Sequence, residues 1–400
     1  MQQPDSLRVA VLLTAVVAFG PISTDLYLPS LPGIARHFST DAAAAQATLS
    51  VFLAGFAGGQ IVYGPLSDRF GRRPVLVIGI SLYLAASMAC AIAESIEALT
   101  ISRFFQAMGA CSGVVLARAI VRDLYAPERA GTVLAYMGSA MAVAPMIGPV
   151  IGGQLEINFG WRANFVVLMG FAAAILLAVI GILDETNRRP DPDALKPRRI
   201  LGNFVEMLTN LRFVGCLAAA TFCYSGLFAF ISASSFVLID VVDLTPDVFG
   251  LCFAVVVVGY MFGAMSAGRL IQRLGLDRVM LWGGVLTAVG GPAMLVLAIL
   301  SKAEISAIEL VVPMMAYAAG VGLVMPATTA AAIGPYPEKA GAASSVLGFI
   351  QMCLAAAVGA TVAHILDGTA QPMATAIAIC GVGTLASILL LRRNRAAAIE

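Results

Sequence analysis

The stretch GPLSDRFGRRPV at residues 64–75 returns in altered form as GRLIQRLGLDRV at residues 268–279. The two copies lie 204 residues apart, about half of the 400-residue chain, and each follows an apolar run. A motif repeated at this offset predicts two related halves of the same orientation. Identical residues occupy the matched positions Gly64/Gly268, Leu66/Leu270, Arg69/Arg273, Gly71/Gly275 and Val75/Val279.

The composition is that of an integral membrane protein. Hydrophobic residues make up 60% of the chain and charged residues 12%, with a mean hydropathy of +0.92. A soluble domain of this length needs far less apolar surface for its core. The net charge of +1 suggests no nucleic-acid partner. The seven cysteines and two histidines follow no metal-ligand or disulfide spacing, so we predict neither a metal site nor a cofactor.

Charges and turn residues divide the chain into apolar stretches long enough to cross the bilayer as helices. We therefore predict an all-α membrane protein of twelve transmembrane helices in two six-helix bundles, residues 1–183 and 209–400. The polar, proline-rich segment DETNRRPDPDALKPRRI at 184–200 predicts a cytoplasmic linker over 184–208. The predicted spans are 8–35, 43–65, 74–94, 98–122, 130–155, 162–183, 212–239, 247–268, 278–300, 307–331, 341–365 and 373–392.

The basic residues predict the orientation of the spans. With the N-terminus in the cytoplasm, 20 of the 24 Lys and Arg residues fall inside, and only Arg36, Arg162 and Lys302 fall outside. Arg103 is left within a span. The positive-inside rule then predicts that both termini are cytoplasmic. Removing one span would scramble this bias, which supports the count of twelve.

The segment GPLSDRFGRRP resembles the loop 2-3 signature of the major facilitator superfamily, and the resemblance covers essentially the whole chain. In that family, the counterparts of Asp68 and Arg72 form a charge network with an acid at the end of span 4, which Asp123 matches here. The network latches one conformation; the alternative is a solvated loop that only sets topology. Gly64 would let two helices approach closely. The latch residues implied are Gly64, Asp68, Arg69, Gly71, Arg72 and Asp123.

Two further segments resemble signatures of drug exporters. GSAMAVAPMIGPVIGG at 138–153 in span 5 resembles the motif associated with antiport in this superfamily, through Pro145, Gly148, Pro149, Gly152 and Gly153. Its small residues predict a kinkable helix on which a neighbour packs tightly. STDLYLPSLP at 23–32 resembles the span 1 signature of the Bcr/CflA drug-resistance branch. That resemblance implies that Asp25 and Tyr27 lie in a central cavity.

Asp25 and Arg103 are ionisable residues inside predicted spans, at similar depths. Such residues are costly unless they face water or a partner, so we predict that both serve proton coupling and substrate binding. Burial favours a neutral carboxyl group and a nearby guanidinium favours the charged form, so protonation could switch with access. Two alternatives stay open. Asp25 could bond backbone groups freed by Pro29, and Arg103 could extend to the outer surface.

The second half offers no matching charge. At the 204-residue offset Asp25 corresponds to Ala229, within a segment rich in aromatic and hydroxyl side chains. We predict that this half supplies the weakly polar surface of the substrate site, although aromatic residues in spans also pack against other helices or lipid. The candidate lining residues are Tyr224, Phe228, Phe230 and Tyr260.

These features predict a proton-coupled multidrug efflux transporter of the bacterial inner membrane, a monomer driven by the proton gradient. Its expected substrates are small antibiotics such as amphenicols or bicyclomycin. The alternatives are a proton-coupled exporter of an endogenous metabolite and an importer of the same fold, against which the span 5 motif argues. The chain has no HExxH, nucleophile elbow or phosphate-binding loop, so we do not expect an enzyme. A receptor is disfavoured because no sizeable soluble domain is predicted. A channel is disfavoured by the repeat.

Overall fold

The structure is a computed structural model that describes residues 7–125, 127–187, 190–301, 305–336 and 339–396. Arg188, Arg189 and Lys302, which were used in the topology prediction, lie outside these ranges. Within them the regular structure is helical. The helices are α1 (Leu7–Val17), α2 (Phe19–Asp25), α3 (Leu31–His37), α4 (Ala42–Phe70), α5 (Arg72–Ala91), α6 (Ile96–Leu124), α7 (Pro127–Phe159), α8 (Arg162–Ile182), α9 (Pro197–Thr209), α10 (Leu211–Ser235), α11 (Pro246–Leu274), α12 (Leu276–Ser301), α13 (Ala307–Ile333), α14 (Ala340–Ile365) and α15 (Gln371–Ala396).

Most of the predicted spans are confirmed. Ten helices among the described residues are long and apolar enough to cross a membrane, or eleven if the bent pair Arg8–Val17 and Phe19–His37 forms one span. The remaining predicted span, 130–155, coincides with α7, several of whose side chains lie outside the described residues. The count of twelve and the cytoplasmic location of both termini stay predictions.

The first span is a broken helix, and its prolines explain where it breaks. A proline has no N–H to bond the carbonyl four residues earlier. Pro21 leaves the carbonyl of Val17 without this bond at the end of α1, and Pro29 does the same to Asp25 at the end of α2. The chain bends by 40° at the first break. After the second it continues as a 3₁₀ turn, Leu28–Ser30, into α3.

The repeat is visible in the backbone. Helices α4 and α11 each contain 29 residues, and both of their ends match at the 204-residue offset. Each is followed by a glycine with positive φ, 99° at Gly71 and 80° at Gly275, a conformation that favours glycine. Between the halves, α7 packs on α11 and α4 packs on α14.

The linker contains a helix that the sequence did not predict. Helix α9 extends one residue past the predicted boundary at 208, and Asn210 alone separates it from α10. The side chain of Asn210 caps α10 by accepting from the backbone N–H groups of Arg212 and Phe213. The boundaries of the two halves stay a prediction.

Candidate functional site

Asp25 lies at the break between α2 and the 3₁₀ turn and is buried, with 3% of its surface exposed. Thr24 Oγ1 donates to its Oδ1 at 3.3 Å. Tyr224 of α10 lies within electrostatic reach of Asp25 and of Tyr260 of α11. Among the described residues, no Lys, Arg or His forms an ion pair with Asp25. The carboxyl group of Asp25 therefore has no cationic partner among the described residues and lies near one tyrosine of the second half, Tyr224.

Arg103 does not meet Asp25, contrary to what their similar depths suggested. Its side chain is fully buried in the first half, where Nη1 donates to Ser23 O at 3.1 Å and to Gln106 Oε1 at 2.6 Å. The guanidinium carbon lies 4.5 Å from the ring centre of Tyr27, 4.3 Å from that of Phe52 and 5.9 Å from that of Phe165. This enclosure also contradicts the alternative of a side chain that extends to the surface.

Arg103 contacts the backbone close to Asp25 without touching its side chain. Ser23 lies two residues before Asp25, so the bond from Arg103 holds the backbone of α2 just ahead of the break. The three aromatic rings stabilise the charge by cation–π attraction. Nε and Nη2 have no hydrogen-bond partner in this conformation. Arg103 therefore reaches Asp25 through the backbone of α2, not by direct contact.

The predicted lining residues divide into three groups. Tyr224 lies near Asp25, and Tyr260 lies near Tyr224. Tyr27 is buried in the first half, where its hydroxyl bonds to Thr48 Oγ1 at 2.9 Å. Phe228 and Phe230 are also buried: Phe228 packs against Gly359 of α14, and the ring centre of Phe230 is 6.0 Å from that of Phe253 in α11. Of the four predicted lining residues of the second half, Tyr224 is the one that lies near the carboxyl group of Asp25.

The glycines of the span 5 motif pack directly against the break in the first span. A Cβ placed on Gly148 would lie 2.9 Å from the Cβ of Asp25, and one on Gly152 would collide with the carbonyl oxygen of Leu26. On the side of the second half, Gly153 approaches the backbone of Pro246, and the backbone of Pro149 approaches Gly250 of α11. Pro145 lies half-buried one turn earlier. The motif thus forms a smooth strip between Asp25 and α11.

The predicted latch residues Asp68, Arg72 and Asp123 come together at one end of the first half. Arg72 Nε donates to Asp123 Oδ2 at 3.0 Å, and Nη1 donates to the carboxylate of Asp68. Arg69 stands apart, with its guanidinium 5.2 Å from the ring centre of Phe70. The predicted close approach at Gly64 is wrong for this conformation, because nothing lies within 4 Å of where its Cβ would be.

The linker closes over this network, which sequence analysis missed. The carboxylate of Glu185 accepts from the backbone N–H groups of Arg72 at 2.9 Å and Arg73 at 3.1 Å, so it caps the N-terminus of α5. Asn187 Nδ2 donates to the backbone oxygen of Asp68 at 2.9 Å, and Thr186 Oγ1 donates to Asp123 Oδ2 at 3.2 Å. The linker therefore ties the ends of α4, α5 and α6 together.

Gly71→Ala is expected to destabilise this corner. Gly71 has φ 99° and ψ 152°, which essentially only glycine adopts, and a Cβ would lie 2.5 Å from Glu185 Oε2. We expect a loss of about 1–3 kcal/mol in the free energy of unfolding, seen as a lower thermal unfolding midpoint of the purified protein. Gly64→Ala is the matched control, since it adds a methyl group to the same helix end in open space. Equal midpoints for the two variants would contradict the expectation.

Sequence analysis missed Glu156 and the ion pair between Arg36 and Asp240, because these residues lie just beyond the predicted ends of their spans. Glu156 lies near the end of α7, and a Cβ on Gly33 of α3 would collide with its carboxylate. Nearby, Arg36 Nη1 forms an ion pair of 3.1 Å with Asp240 of the second half. Arg36 and Asp240 are 204 residues apart, which makes them equivalent positions of the repeat. Helix α3, which follows the break in the first span, therefore forms an ion pair with the second half near its end.

Known proteins are similar to this chain in sequence over most of its length. The family model described as Major Facilitator Superfamily matches residues 12–360 and 217–399. The "Bicyclomycin resistance protein homolog" of Haemophilus influenzae is 28% identical over 98% of this chain and 99% of its own length. The "Multidrug resistance protein D" of Escherichia coli is 27% identical over 93% of this chain and 92% of its own length.

A solved structure shares the fold. The partially occluded, inward-open xylose transporter XylE from E. coli superposes with a TM-score of 0.72 at 16% identity, covering 97% of this chain and 98% of its own. The family model and the names of the relatives confirm the resemblance to the superfamily and its drug-resistance branch.

Proposed function

Because the chain belongs to the major facilitator superfamily, a family of membrane transporters and not of enzymes, we propose that it exports small drugs in exchange for protons. The observation that carries the proposal is Asp25, a buried carboxyl group without a cationic partner among the described residues, at the break of the first span. The drug-resistance names of two relatives that match almost the whole chain support drugs as the substrate class.

The proposed coupling follows from the cost of a buried charge. An isolated carboxylate in an apolar environment is strongly unfavourable, so Asp25 carries a proton in the conformation described here. Opening toward the cytoplasm hydrates the carboxyl group, which releases its proton and leaves an anionic, aromatic-lined site for the drug. Opening outward returns a proton to Asp25 and displaces the drug. Arg103 contributes by holding α2, and the strip of Gly148 and Gly152 lets α7 slide past the break.

The substrates that suit this site are small neutral or cationic molecules. Tyr224 and Tyr260 offer aromatic faces and hydroxyl groups, and Asp25 offers one acceptor or one negative charge. We propose amphenicols and bicyclomycin, which are small neutral molecules, as examples. We propose a monomer with twelve spans and cytoplasmic termini in the bacterial inner membrane, with no cofactor beyond the proton gradient.

Resistance tests and everted vesicles separate this function from its alternatives. We would express the chain in a bacterial strain lacking its own pumps and measure resistance to a panel that includes amphenicols and bicyclomycin. We expect increased resistance to at least one compound, and uptake of that compound into everted vesicles that collapses with a protonophore. No shift for any compound would favour a metabolite exporter, and transport in the opposite direction would indicate an importer.

Alternating access requires the contact between Arg36 and Asp240 to break when the outer side opens. Both side chains are partly exposed, so the pair is worth no more than about 1 kcal/mol, or about fivefold in population. We expect Arg36→Asp to raise the outward-open population by up to that factor, read from distances between spin labels on α3 and α11. Adding Asp240→Arg should restore the original distribution. Identical distance distributions for the single variant and the parent would contradict a gating role.

A further inference from the structure

Helix α9 carries an apolar surface that the protein covers only in part. Met207 is fully buried, and Phe204 packs on Phe349 of α14 with ring centres 5.9 Å apart. Leu201, Val205 and Leu208 are 66%, 56% and 43% exposed. Their i, i+4, i+7 spacing places them in one stripe along the helix. Exposed leucines and valines in a row are expected where a helix meets lipid or another apolar partner.

The attachment of α9 places that stripe at the membrane surface. Only Asn210 separates α9 from α10, which crosses the membrane, and Leu211 at the start of α10 is 74% exposed. The stripe is therefore continuous with the lipid-facing surface of the bundle. On the opposite side of α9, Glu206 forms an ion pair of 2.6 Å with Lys339, which fixes how the helix rotates about its own axis.

The charge beside the stripe suits an anionic lipid. At about 100° per residue, Arg198 lies about 60° around the helix from Leu201, at the border between the stripe and the polar face. Arg198 is exposed and forms no ion pair within the described part of the chain. A long basic side chain at such a border extends from the apolar layer to the phosphate groups.

We propose that α9 lies in the lipid–water interface of the cytoplasmic leaflet, with Leu201, Val205 and Leu208 inserted among the acyl chains and Arg198 bound to the phosphate of an anionic phospholipid. The linker is then anchored to the membrane at one end and to the latch, through Glu185, at the other. Movement between the halves has to carry this interfacial helix with it. The inference does not depend on the identity of the transported substrate or on proton coupling.

Fluorescence quenching tests the proposal on the full chain in nanodiscs. Cys252 and Cys353 are replaced by Ser, since the other five cysteines are buried, and an environment-sensitive dye is attached to Val205→Cys or to Gly202→Cys. Gly202 is the matched control, because it is exposed on the polar side of α9 and has open space around it. The nanodiscs contain phosphatidylcholine with or without phosphatidylglycerol, and a lipid with a nitroxide near the headgroup as quencher.

The dye at position 205 is expected to be quenched at least about twofold more than the dye at 202, because interfacial helices bury their apolar face about 5–10 Å deep. Phosphatidylglycerol should increase this difference, and Arg198→Gln should remove the increase. Equal quenching at 205 and 202 overturns the insertion of α9. Quenching at 205 that is independent of phosphatidylglycerol overturns the assignment of Arg198 to an anionic headgroup.

Discussion

Asp25→Asn is expected to abolish concentrative export while leaving the fold intact. Asparagine keeps the shape of the side chain and its bond to Thr24 but cannot exchange a proton. At a membrane potential of 100 mV, one proton moving inward supplies about 2.3 kcal/mol, which corresponds to a concentration ratio of roughly 40-fold for a neutral drug. The variant should lose that ratio in everted vesicles.

Exchange of labelled for unlabelled drug across vesicles without a gradient provides the control. The neutral amide introduced by Asp25→Asn resembles the protonated carboxyl group of Asp25, so the variant should still cycle between its two openings and carry out this exchange. Asp367→Asn tests the specificity of the change, because Asp367 is an exposed carboxylate in the loop between α14 and α15. Undiminished proton-driven export by Asp25→Asn would leave Asp25 only a structural role at the carbonyl freed by Pro29.

Gly152→Ala is expected to cause the second large loss, through packing alone. The added methyl group would collide with the carbonyl oxygen of Leu26, which is backbone and cannot turn aside. Overpacking of this kind typically costs about 1–3 kcal/mol, and it separates α7 from the break beside Asp25. We expect a lower thermal unfolding midpoint of the purified protein and a loss of most drug export.

Gly138→Ala is the matched control for this variant. It adds the same methyl group to the same helix, but nothing lies within 4 Å of its Cβ position. Because alanine is the better helix former, this control should be neutral or slightly stabilising. If Gly152→Ala matched Gly138→Ala in both unfolding midpoint and export, the tight contact between α7 and the break at Leu26 would not be needed for stability or transport.

Features of the site that depend on residues close together in the sequence were predictable. The breaks at Val17 and Asp25 follow from Pro21 and Pro29, because a missing N–H acts four residues away. The repeat and the grouping of Asp68 with Arg72 were equally readable, since these residues share one turn of chain. The similar level of Asp25 and Arg103 along their helices was also predictable, because helices rise by about 1.5 Å per residue, and Arg103 bonds the carbonyl oxygen of Ser23, two residues before Asp25.

The direction in which a side chain points was not predictable in the same way. Arg103 and Asp25 occupy similar depths, yet Arg103 faces the aromatic rings of its own half because α6 is rotated that way by its packing on α4 and α5. Glu185 was missed for a related reason: its partners belong to α5, more than a hundred residues earlier. The close approach predicted at Gly64 is absent in this conformation, because a glycine in a helix allows a close neighbour but does not require one.

The pairing of Arg36 with Asp240 has a consequence for the symmetry of the two halves. These residues hold the same place in the two halves and meet where the halves face each other. In a symmetric dimer of separate halves, a residue on the two-fold axis faces its own copy, so an arginine or an aspartate there would repel itself. A dimer of identical halves could hold this contact only with an uncharged residue at the shared position, so the ion pair depends on two halves that differ in sequence within one chain.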